Sequence, residues 1–177
     1  LLDSDYFSEE QIAARYAEAK THGVQLHILQ RKEIENYLVV ASAVRRVIAE
    51  GCKKNQTPPT IEEVEAEIDR VTESLREEIF DNLCTEFAKN KALAGGTANK
   101  LAREKITKAW ATPAGRLSLI PGKQVISKLS DWSKKHYVVS FGPTKLANSL
   151  SATEIDAEIK VVIEAVENRE DFPPRKP

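Results

Sequence analysis

The sequence has no methionine, two cysteines, three histidines and few aromatics, at 6% of its 177 residues. Cys52 and Cys84 form no C-x-x-C and have no histidine at ligand spacing. This excludes a disulfide framework and argues against a structural zinc site. A reducing compartment, the cytoplasm, is the expected setting. No apolar run approaches ~18 residues, so no membrane span is expected. No basic segment followed by an apolar one opens the chain, so no signal peptide is visible. The net charge is −1, so overall charge does not point to nucleic acid, and any such binding must come from a local patch. Internal repeats and low-complexity segments are absent as well. A chain that opens on Leu1 with no methionine anywhere reads as a piece of something longer.

The chain does have a moderate apolar content of 41%, a charged content of 30%, and several helix-start signals. Leu1 to Asp5 reads as the end of a strand. Ser8-Glu-Glu-Gln11 is a capping box and predicts a helix to about Lys20, stopped at Gly23. "VQLHILQ" alternates, with Val24, Leu26 and Ile28 on one side, and reads as a second strand. Strand, helix and strand in so short a span predict a βαβ crossover with parallel strands. Helix is expected from Tyr37 to Gly51. Thr60-Ile-Glu-Glu63 is a second capping box, and one long helix is expected from there to about Lys91. The nine acidic residues between Glu62 and Asp81 read as a solvated face. A short basic helix to Trp110 follows Gly95-Gly96. Then come a strand over Leu117–Ile120, a Pro-Gly turn, a helix over "QVISKLSDWSKKH", and a short strand or extended loop at "YVVSFGPTK". A final helix, capped by Ser151-Ala-Thr-Glu154, is expected to run to about Asn168, with "DFPPRKP" as a tail.

The chemistry concentrates at two places. Asp3 and Asp5 stand at i and i+2 of the first strand, on one face and roughly 6–7 Å apart. At the C-terminal end of a parallel strand that face opens to the crevice where α/β ligands bind. Two carboxylates there suit a hard divalent cation. "RKEIENYL" follows the second strand, so parallel pairing would deliver Glu33 and Glu35 beside the aspartates. Four carboxylates in one crevice would repel one another unless cations neutralise them.

"LLDSDYFSEE" followed by "RKEIENYLV" resembles the C-terminal toprim domain of ATPases related to the overcoming-lysogenisation-defect (OLD) nucleases. "LSLIPGKQVISKLSDW" resembles that family more loosely. The resemblance implies an α/β fold: a partial toprim-like (Rossmann-like) parallel sheet over residues 1–51, a mainly helical insertion over 52–114, and a strand-helix return with C-terminal helices over 115–177. It implies a metal-dependent endonuclease using Mg2+ or Mn2+. Asp3 and Asp5 would hold one ion, Glu33 or Glu35 would support a second, and Lys123 would place a positive charge at the phosphate. Lys100, Arg103, Lys105 and Lys108 on the short basic helix are candidate phosphate contacts, as are Lys134, Lys135 and His136. The implied partners are nucleic acid, DNA first, and an upstream ATPase domain of the same chain, with a homo-oligomer as a further option. The implied setting is prokaryotic, in defence against phage.

The departures from that pattern are as informative. The family's first catalytic glutamate, one βα unit before D-x-D, is not here, and no G-x-x-x-x-G-K-[ST] occurs. This stretch alone is therefore expected to lack ATPase activity, and nuclease activity too. A catalytically degenerate interaction or oligomerisation module is the alternative. A phosphohydrolase of the haloacid dehalogenase type also opens on D-x-D after an apolar strand, but Tyr6-Phe7 stand where that family has Gly-Thr.

Overall fold

The computed structural model describes residues 1–89 and 95–172. Nine helices carry the described residues: α1 (Glu9–Thr21), α2 (Ala41–Gly51), α3 (Ile61–Ser74), α4 (Arg76–Ala88), α5 (Gly95–Ala109), α6 (Pro113–Leu119), α7 (Gly122–Tyr137), α8 (Pro143–Ser149) and α9 (Ala157–Asn168). A 3₁₀ turn, Ile34–Leu38, precedes α2. The first capping box forms as expected at Ser8, and Gly23 takes φ +63° beyond the end of α1. The 60–63 box forms as well.

The expected α/β sheet does not form, which corrects the fold class: the described residues are helical, with a single parallel bridge, Leu2 to Ile28. Leu2 N–H donates to His27 O, and Leu29 N–H donates to Leu2 O, both at 2.9 Å. The physical reasons are local. Asp5 turns into the left-handed region at φ 43°, which ends the first extended segment. Val24, meant for the buried face, is 57% exposed. On the second segment the amides of Ile28 and Gln30 donate to Tyr16 Oη and Glu158 Oε1, at 3.2 and 3.0 Å. Side chains thus occupy the edge where a further strand would pair. The third expected strand, Leu117–Ile120, is wound into α6 and its C-cap. Thr112 caps that helix by accepting from Gly115 N–H, and Pro113 at the first turn favours it.

Other boundaries shift. The expected helix from Thr60 is two helices, α3 and α4, parted at Leu75. Thr72 and Ser74 hydroxyls donate to the Asp69 and Val71 carbonyls at 3.0 and 2.7 Å, a back-bonding that bends helices. The predicted end near Lys91 lies outside the described residues, as does the tail beyond Phe172. Ser151 and Glu154 do bond to each other, but as a turn, and α9 starts three residues later behind Asp156.

One buried apolar cluster spans α2 to α8. Val64, Ile68 and Val71 of α3 contribute to it with Val44, Val47 and Ile48 of α2 and with Val125, Ile126 and Leu129 of α7. Ile79 and Leu83 of α4 join it with Ala102 and Ile106 of the neighbouring α5.

An ion pair fastens the turn before α9 to α2. Glu154 accepts from Arg46 Nη1 at 3.0 Å, and also from Arg46 Nη2, Ser42 and Ser151. The Arg46 guanidinium, then the Ser42 hydroxyl and the Ser151 amide, hold its carboxyl well below the usual carboxylate range. A depressed folded value stabilises the fold above the unfolded pKa of ~4.3 and loses that contribution as pH falls through the folded value. Arg46 is about one-third exposed, so screening keeps the effect modest. Glu154→Gln is expected to cost about 1–2 kcal/mol at neutral pH. It should also reduce the extra loss of stability on acidification below about pH 4. Urea unfolding at pH 7 and pH 3 checks both.

Candidate metal and phosphate site

Three stretches far apart in sequence meet where the two extended segments end. Asp5 N–H donates to Lys32 O at 3.2 Å, and Lys32 N–H donates to Ser118 O at 3.0 Å. Asp3 Oδ1 accepts from Ile34 N–H at 3.0 Å. Ser4, buried between the aspartates, donates to Arg31 O at 2.8 Å. Asp3 and Asp5 are both tied to the segment that holds Glu33 and Glu35, but Asp5 at φ 43° has left the extended backbone on which i and i+2 share a face.

Asn36 joins the third stretch. It is fully buried, its Nδ2 donates to Leu117 O at 2.7 Å and Ile120 O at 2.9 Å, and its Oδ1 accepts from Glu33 N–H at 3.0 Å. Gly122 lies against the same backbone: a Cβ there would come 2.5 Å from Asn36 N and 2.8 Å from the Glu35 carbonyl carbon. Glycine is therefore required by close approach at this position.

The four carboxylates are divided between two tasks. Glu33 Oε2 accepts from Lys123 N–H at 3.1 Å, and its Oε1 is 3.2 Å from Lys32 Nζ. It caps α7, whose N-cap residue, Pro121, has no side-chain hydrogen bond to offer. A carboxylate is favourable there both as acceptor and against the helix dipole. Glu35 Oε1 is 3.6 Å from Lys123 Nζ, and its Oε2 is buried with no hydrogen-bond partner. Asp5 makes no side-chain hydrogen bond or ion pair among the described residues. Negative charge accumulates around Tyr6, whose phenol is raised above its ordinary value mainly by burial, with Glu78, Glu33 and Asp5 adding to the rise. Lys32 Nζ lies 4.9 Å from the Tyr6 ring centroid.

Among the described residues no three histidine, cysteine, aspartate or glutamate side chains converge as a ready metal cage. Asp5 and the remaining oxygen of Asp3 are hard donors at the end of the first extended segment, and Glu35 Oε2, on the side of Lys123, is a buried acceptor left unmatched. Mg2+ is commonly held by one or two carboxylates, with water and substrate phosphate completing its shell. Asp3 and Asp5 suit that mode, whereas Glu33 is already committed to two nitrogen donors.

Lys123 sits in the first turn of α7 with its side chain 67% exposed. The basic helix α5 packs on α4 and α6, with Lys100, Arg103 and Lys108 exposed and Lys105 half-buried. Arg103 lies over Phe80 at 5.4 Å, Lys105 over Phe87 at 5.7 Å, and Lys100 is 3.9 Å from Glu104. Lys108 stands on the last turn of α5, where a cation suits the helix dipole.

The role of Asn36 is not legible in the sequence, although it stands inside the E-N-Y-L stretch. A small amide directly after two carboxylates and before two large apolar residues is the available signal. A polar hub on the other side of this turn is not legible either. There Tyr37 Oη accepts from Arg31 N–H and donates to Glu158, while His27 Nε2 meets Glu158 Oε1 at 2.9 Å. Arg31 bridges to Asp156 at 2.8 Å and to Asn36 O at 2.8 Å.

Comparison of the chain with protein-family models, curated proteins and solved structures finds no match in any of the three.

Proposed function

We propose that this chain carries the carboxylates and the phosphate-facing lysine of a metal-dependent nuclease, working as the nuclease module of a larger ATPase related to the OLD enzymes. The observation that carries the reading is the convergence of D-x-D, E-I-E-N-Y-L and I-P-G-K. Direct hydrogen bonds join these three stretches through Asp3 and Ile34, Lys32 and Ser118, and Glu33 and Lys123.

Asp3 and Asp5 would hold the ion. Bound there, Mg2+ or Mn2+ would polarise a phosphoryl oxygen and lower the pKa of a water. The chain's own residues set the geometry. The Ile34 amide fixes the Asp3 carboxylate. Glu33 pins the first turn of α7, which carries Lys123. Glu35 keeps the Lys123 ammonium at the mouth of the site, where it would neutralise a phosphate oxygen.

Calorimetric titration of Mn2+ into the protein, wild type against Asp3→Asn/Asp5→Asn, tests this. The double variant is expected to bind at least about tenfold more weakly. Equal affinity in the two proteins would overturn the reading.

A further inference from the structure

A second cleft lies beside the same helix, about 490 Å³ in volume and formed where α7 packs on α3. Its walls carry Arg70 from α3 and Lys128, Trp132, Lys135 and His136 from α7. Arg70 is held by Glu67, with Nε and Nη2 at 2.7 and 2.5 Å from its oxygens. Lys128 and Lys135 are exposed and make no ion pair among the described residues. They are seven residues apart, two turns of helix or ~10 Å along one face, with Trp132 between them. Trp132 meets Tyr137 edge-on at 5.4 Å and His136 at a tilt at 6.1 Å, so neither ring stacks flat on the indole. A half-buried indole flanked by two unpaired ammonium groups is the combination that binds single-stranded nucleic acid, with bases stacking on the ring and cations meeting phosphates.

The cleft shares one wall residue, Asp131, with a groove beside Lys123. That groove, of about 400 Å³, contains Glu35, Lys123 and Phe141. A strand lying at Lys123 would therefore reach Trp132 by passing Asp131. We infer that the α3–α7 cleft centred on Trp132 is a binding site for single-stranded nucleic acid that also passes the groove beside Lys123. The choice of polymer rests on the nuclease reading, and the cleft itself does not use the metal. Duplex is disfavoured because its paired bases cannot stack on a side chain.

The test is fluorescence anisotropy with labelled oligo-dT, oligo-rU and a duplex of equal length, all in EDTA. Tryptophan quenching is followed in parallel in Trp110→Phe and Trp132→Phe backgrounds. Single strands are expected to bind more tightly than duplex and to quench only when Trp132 is present. Trp132→Ala should weaken binding about tenfold. Lys128→Gln/Lys135→Gln, at exposed positions that should not disturb the fold, should weaken it and flatten the salt dependence by roughly one to two ions. Asp131→Asn should tighten it. The tighter of the two single strands names the natural polymer, and binding of either supports the site. Unchanged affinity in both the tryptophan and the lysine variants overturns the inference, as does tighter binding of duplex. Because EDTA removes the ion from the oligomer assay, the metal site is read separately, by Mn2+ calorimetry of Asp3→Asn/Asp5→Asn. Equal Mn2+ affinity in wild type and that variant, with the oligomer bound as expected above, would count against the nuclease reading alone.

Discussion

Replacing Asn36 by leucine is expected to be among the most damaging single changes in the molecule, costing about 3 kcal/mol or more. The side chain is similar in size, so the effect isolates the amide. It strips a donor from two carbonyls, Leu117 O and Ile120 O, and an acceptor from Glu33 N–H. A buried polar group left unmatched costs roughly 1–3 kcal/mol, far more than the net gain of an average hydrogen bond. For a chain of this length the melting temperature should drop by about 6–12 °C. Asn36→Asp should be no better. It keeps the acceptor for Glu33 N–H but points a carboxylate oxygen at two carbonyls. Thermal melts of both variants decide the matter. A loss under about 1 kcal/mol in both would mean that Asn36 is not the junction between the E-N-Y-L turn and the 117–122 segment.

Gly122→Ala is the second change with a large expected effect. Its Cβ would come 2.5 Å from Asn36 N and 2.8 Å from the Glu35 carbonyl carbon, both backbone atoms that cannot rotate aside. The first turn of α7 must then back away from the E-N-Y-L segment. Overpacking of this kind costs about 1–3 kcal/mol. It should also lengthen the Glu33 contact to Lys123 N–H and displace the Lys123 ammonium from Glu35. Loss of stability should therefore come with altered amide shifts at Lys123 and Ile34 in an NMR spectrum. A stable variant with unshifted amides at both would contradict the packing described for Pro121-Gly122-Lys123.

These two positions show what was legible before the structure. The capping boxes at Ser8 and Thr60 were readable because a cap is a local event, decided by a hydroxyl and a carboxylate or amide three residues apart. That the two extended segments run parallel was readable from the strand-helix-strand spacing, and one parallel bridge, Leu2 to Ile28, forms. The sheet around that bridge was over-read. Val24, Leu26 and Ile28 alternate as a strand does, but whether a strand gains further neighbours depends on distant groups. Here Tyr16 and Glu158 take the amides concerned. "LSLI" has strand-like composition, yet Thr112 and Pro113 ahead of it start a helix that runs through it. The division of labour among the carboxylates was equally hidden. Nothing local to Glu33 tells that its oxygen will cap a helix ninety residues later in the chain, at Lys123.

The central claim is that Asp3 and Asp5 form the cation site, and Mn2+ broadening of backbone amide signals tests it most directly. At substoichiometric Mn2+ the account predicts that the amides of Ser4, Asp5, Ile34 and Glu35 broaden first. Asp3→Asn/Asp5→Asn should abolish that pattern while leaving the spectrum folded. Broadening that begins instead along the acidic faces of α3 and α4, and that survives in the double variant, would contradict it.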